Sequence, residues 1–185
     1  MKFFVALFAV AITSVCIADS WSPPTVLTIA STDGDTLVRV TPRRDDALPQ
    51  ALVFDYDAQA EVYVLRSKFA LRNRMSPYRL AVSPQGKRII AVEEYGSLGY
   101  GRDSVVVYDG SGHLLWRWSL SDIFTKDEIA RIPTSTSSRW WIEGVTVVRQ
   151  SAGYVAVIFP PRDRPEKPIY DRIWIDLETG KLTRG

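Results

Sequence analysis

The chain reads as an all-β protein: three four-stranded antiparallel, blade-like units forming a partial or propeller-like fold, with one short helix. Three observations predict this. Apolar and polar residues alternate with period 2 through most of the sequence beyond residue 24. Turn-forming clusters such as STDGD, SPQGK, GSG and ETG separate the alternating runs at short intervals. Finally, Gly34 and Gly86, Leu37 and Ile89, Val53 and Val105, and Asp57 and Asp109 are each 52 residues apart, a period that fits a four-strand repeat.

The amino terminus, MKFFVALFAVAITSVCIADS, carries one cation (Lys2), an apolar run from Phe3, and small residues at Cys16 and Ala18 before a polar stop. That pattern predicts a signal peptide over residues 1–18 and a periplasmic or secreted protein. The run is shorter than the roughly 20 apolar residues of a membrane span, so no integral span is expected after cleavage. Lipidation at Cys16 is disfavoured by Val15, which is larger than the residue such sites carry before the cysteine. Cleavage after Ala18 removes the only cysteine, so a disulfide is excluded from residues 19–185, read as a single β-repeat domain.

The first unit, about 25–66, runs from the apolar Thr25–Ala30 segment through STDGD, then LVRV, TPRRDDALPQ, ALVFDYD and EVYVLR. The second, about 78–118, reads YRLAV, SPQGK, RIIAVEEY, a glycine-containing loop, SVVVYD, GSG and HLLWRW. In the third, about 142–184, the order is EGVTVV, RQSAG, YVAVIF, PPRDRPEKP, IYDRIWIDL, ETG and KLTR. Its spacing drifts, Asp109 to Asp176 being 67 and Gly112 to Gly180 being 68 residues, because residues 119–141 intervene. There SLSDIFTKDEIARIP predicts the one helix, with a Thr125/Glu128 capping box at its start and Pro133 at its stop.

Residues 78–118, with SPQGKRIIAV and VVVYDGSGHLLWRW, resemble the bacterial secreted β-propeller repeats of the TolB-like and WD40-like class. Gln85 stands where those repeats usually carry an acidic residue. The resemblance covers about a fifth of the chain and implies a propeller-type fold without implying an activity. A β-sandwich of strand meanders accounts for the same strand count. Closed propellers usually have four or more blades, so three units predict an open arrangement, a homodimer of six, or pairing through exposed blade edges.

With 23 Lys and Arg against 21 Asp and Glu, the chain lacks the basic surplus of a dedicated nucleic-acid binder. His113 is the only histidine, which disfavours a nitrogen- or sulfur-ligated zinc site. Asp33-Gly34-Asp35 reads as a hairpin bend before it reads as a calcium site. Glu93 and Glu94 are neighbours on a strand and point to opposite faces; either could approach Asp103 instead. No catalytic residue, metal or cofactor is assigned. Trp116 and Trp118 share one strand face and read as packing between units.

The long connections concentrate the remaining signal, since 17 of the 23 cations are arginine, suited to carboxylate or phosphate recognition. In an up-and-down unit, those connections emerge at one end. They carry Arg43 and Arg44; Arg72 and Arg74; Tyr95, Tyr100, Arg102 and Asp103; Arg139, Trp140 and Trp141; and Arg162 and Arg164. The expected function is an exported, non-enzymatic binding or scaffold module whose Arg/aromatic loop face holds a protein partner or an anionic ligand. The alternatives are a hydrolase or lyase with acid/base residues near Glu93, Glu94 and Asp103, and an assembly subunit pairing through blade edges.

Overall fold

A computed structural model describes residues 23–74, 76–94, 98–161 and 168–185, so the expected signal peptide lies outside the described residues. Twelve strands within them form three four-stranded antiparallel sheets, each a meander of sequence neighbours. Sheet 1 holds β1 (Leu27–Ala30), β2 (Thr36–Thr41), β3 (Gln50–Asp57) and β4 (Val62–Ala70). Sheet 2 holds β5 (Pro77–Val82), β6 (Arg88–Glu94), β7 (Val105–Asp109) and β8 (Leu114–Trp118). Sheet 3 holds β9 (Gly144–Gln150), β10 (Gly153–Phe159), β11 (Ile173–Asp176) and β12 (Leu182–Arg184).

Two short helices replace the single one expected: α1 (Leu120–Ile123) and α2 (Lys126–Arg131). The Thr125/Glu128 capping box starts α2. A second box precedes α1, where the Ser119 N–H and hydroxyl donate to Asp122 at 2.8 and 2.6 Å. A four-residue helix is too short to show a 3.6-residue period, so the sequence pattern did not reveal it.

Turn chemistry explains the hairpins. Ser31 and Ser83 do the same work: each hydroxyl accepts the N–H five residues on, from Thr36 at 3.0 Å and from Arg88 at 2.8 Å. The 52-residue spacing holds across these turns but not across the next ladder. Thr36 faces Asp55, whereas Arg88 faces Asp109, so Val53 corresponds in its ladder to Val107 rather than Val105. A two-residue shift leaves every side chain on its original face. In both sheets the outer pairing then breaks at the same place, between Val53 and Phe54 and between Val107 and Tyr108.

Two cores result, and sheet 2 belongs to both. Val38, Val40, Ala51 and Val53 of sheet 1 pack against Ile89, Ala91, Val106 and Tyr108 of sheet 2. The alternate residues Ile90, Val92, Val105 and Val107 pack against Ala156, Ile158, Ile173 and Ile175 of sheet 3. Both junctions are locked at the short-turn end. Asp33 accepts from the Gln85 N–H at 2.9 Å, Arg66 donates to the Gln85 and Gly86 carbonyls at 3.1 Å, and Arg88 donates to the Leu177 carbonyl at 2.9 Å. Phe69 abuts Gly112, and Trp116 abuts Gly180, so Trp116 packs between sheets as expected.

Candidate functional site

The opposite end carries the long connections. Asn73, after β4, donates its amide to the Asp103 carbonyl at 3.2 Å and so ties the sheet 1–sheet 2 connection to the β6–β7 loop. That loop lies beside α1, and between them opens a cleft of about 630 Å³. Tyr100, Arg102, Arg117 and Arg139 line it with Ser119, Ser121 and Asp122. Three of these residues, Tyr100, Arg102 and Arg139, belong to the loop set expected from sequence, and the fold brings them together from two separate connections.

The electrostatics favour an anion. Asp122 is occupied by Ser119, whose hydrogen bonds hold its carboxyl below the usual carboxylate range. Asp103 lies 3.5 Å from Arg117, within ion-pair reach but outside hydrogen-bond geometry. Arg102 engages no carboxylate among the described residues. The Arg139 guanidinium lies 5.6 Å from the Tyr100 ring centroid, and its Nε is buried without a hydrogen-bond partner. A buried guanidinium donor without an acceptor is costly, and charge-assisted bonds to a carboxylate or phosphate oxygen are open to guanidinium nitrogens that reach the cleft surface. Among the described residues, the cleft lining carries three guanidiniums against the one carboxylate of Asp122, with Asp103 beside Arg117.

The other expected residues separate. Arg43 turns back on its own loop, donating to the Asp45 carbonyl at 2.6 Å and to Asp46 at 3.2 Å. Arg44, exposed in that loop, does not line the cleft. Trp140 lines a small recess with Pro133, Pro160 and Pro168. Trp141 is no part of a binding face: it is 1% exposed, meets Phe124 edge-on at 6.0 Å between centroids, and accepts the Tyr170 hydroxyl through its carbonyl. Tyr95, Arg162, Arg164 and the side chains of Glu93 and Glu94 lie outside the described residues.

Arg117 is the lining arginine that sequence reasoning did not single out. Its place on β8, opposite Trp116 and Trp118, carried the only available signal: an arginine at the penultimate position of a strand leading into the long connection. His113 sits at the far end of β7, 3.0 Å from Asp109 across the β7–β8 turn and well exposed. It serves that turn and is remote from the cleft along the strand.

No protein-family model matches the chain, and no curated protein matches it significantly.

Proposed function

We propose that this protein is an exported, non-enzymatic binding module, periplasmic or secreted, whose three sheets are successive blades of an open propeller. Its Arg102–Arg117–Arg139 cleft holds an anionic ligand or an acidic segment of a protein partner through carboxylate or phosphate groups. The observation that carries the reading is the convergence of Arg102, Arg117 and Arg139 on one cleft beside the exposed ring of Tyr100. The leader-like residues 1–18 support export. The resemblance of residues 78–118 to TolB-like and WD40-like repeats, and the matching bulges in sheets 1 and 2, support the blades.

Titration calorimetry with inorganic phosphate and with an oligoglutamate peptide tests the cleft. Binding of either probe is expected to weaken at least tenfold in R139A and further in R102A/R139A. It is also expected to weaken as ionic strength rises past about 0.15 M, where charges are screened beyond roughly 8 Å. Affinity unchanged by both variants removes the cleft from the function.

A further inference from the structure

At the sheet 1–sheet 2 junction, sheet 2 presents an apolar cross-strand row, Val82–Ile89–Tyr108–Leu114. The first three are at most 3% exposed, covered by Val38, Val40, Ala51 and Val53 of sheet 1. Sheet 1 carries the corresponding row on its own outward face, Ala30–Leu37–Phe54–Leu65, in the same ladder positions. Among the described residues no sheet lies over it: Leu65 is 51% exposed, and beyond it the Tyr56 and Tyr63 rings meet at a tilt, 5.3 Å between centroids, with more than 40% of each in solvent.

The other end of the stack offers the matching surface. The sheet 2 residues that face sheet 3, Ile90 and Val107, correspond at the 67-residue spacing to Val157 and Trp174. These two face each other on the outward side of β10 and β11, opposite the residues that meet sheet 2. An open depression there is lined by Val155, Trp174 and Thr183 together with Gln150, Asp176 and Lys181. A terminal repeat that faces water normally carries a polar outer face; sheet 1 leaves its apolar centre in water, whereas sheet 3 has Val155 and Val157 at 8% and 4% exposure beside a half-buried Trp174 and a polar rim.

We infer that a second copy of this chain covers both faces, sheet 1 of each copy packing on sheet 3 of the other, so that two copies close into a six-sheet ring. The inference rests on the blade reading of the sheets and is independent of the anion cleft. Two different faces that fit one another make a heterologous contact, which ends growth where the rotation closes the ring and runs on as an open filament where it does not; closure at two copies is the inferred outcome. A four-strand face covers on the order of 300–400 Å² at about 4.8 Å per strand and about 3.3 Å per residue. Four such faces amount to roughly the 1,200–2,000 Å² of a stable interface. Edge-to-edge pairing through β4 would leave the two broad faces in water and is the alternative to eliminate.

Sedimentation velocity of the purified protein is expected to give twice the chain mass. L65R on sheet 1 and T183R on sheet 3 are each expected to give monomers. An equimolar mixture of the two is expected to regain a dimer, because one junction of the mixed pair retains both native faces. W174E serves as a second sheet 3 variant, with thermal melts confirming that each variant folds. A native protein that stays monomeric up to about 100 µM overturns the closure, and so does a T183R or W174E protein that remains dimeric. X-ray scattering separates the two levels: a monomer that matches three stacked sheets overturns closure alone, whereas a mismatch overturns the blade reading beneath it.

Discussion

A Cβ added at Gly112, where φ is +92°, would come within 2.2 Å of the Phe69 ring, and no rotation of that ring relieves a clash that also reaches its Cβ. At Gly34, with φ of +82°, nothing lies within 4 Å. The two glycines therefore separate backbone strain from crowding. G34A is expected to lower unfolding stability by about 1–2 kcal/mol, the cost of a left-handed alanine. G112A adds overpacking and is expected to cost about 2–4 kcal/mol. Urea denaturation of both variants checks this; equal losses would mean that the Phe69 contact contributes nothing. The sequence showed both glycines as turn residues and could not show which one touches the neighbouring sheet. The same limit explains Trp141. In a loop without periodicity, a tryptophan beside an arginine reads as a recognition residue, and only tertiary structure reveals Phe124 and Tyr170 around it. Burial against that cluster pushes the Tyr170 phenol well above its ordinary range.

At the level of elements, α2 depends on a contact from the far end of the chain. Glu128 closes the capping box on Thr125, and both of its oxygens also accept from Arg184 of β12, at 2.9 and 2.8 Å. Those bonds, led by the Arg184 guanidinium, hold its carboxyl at about 2. The carboxylate form is favoured in the folded state, so the contribution is complete above the ordinary value of 4.5 and fades as pH falls toward 2. E128Q is expected to cost about 1–3 kcal/mol at pH 7, as charge-assisted bonds of this kind do. The difference from the native protein is expected to narrow between pH 4.5 and 2. Urea melts at pH 7 and pH 3, at low salt, measure both; a constant difference would rule out the ion pair as its source. The capping box was legible in the sequence because its residues lie three apart. Arg184 was not, because its link to Glu128 is made by the packing of sheet 3 beneath the helices.

For the whole molecule, alternation along strands told the sheets apart from the turns and assigned residues to opposite faces, which is why the strand count and the meander order could be read from sequence. It could not tell which sheet lies against which face, and it placed Val53 two ladder positions from its counterpart. For the site, loop length and arginine content pointed to Tyr100, Arg102 and Arg139, while Arg117 emerges only because β8 runs into α1 beside them. The packing order has a consequence for cooperativity. Sheet 2 contributes Ile89, Ala91 and Val106 to one core and Ile90, Val92 and Val107 to the other, all fully buried. Opening sheet 1 exposes only the first core, and opening sheet 3 only the second, but sheet 2 cannot open without exposing both. Native-state hydrogen exchange should therefore find the slowest amides in β6 and β7, approaching the global unfolding free energy. Amides of β2 and β10 should exchange through smaller openings, and those at the solvent-exposed start of β4, from Val62 to Leu65, should exchange fastest among the strands. Protection higher in β10 than in β6 would mean that sheet 3 and the helices, rather than the central sheet, form the last structure to open.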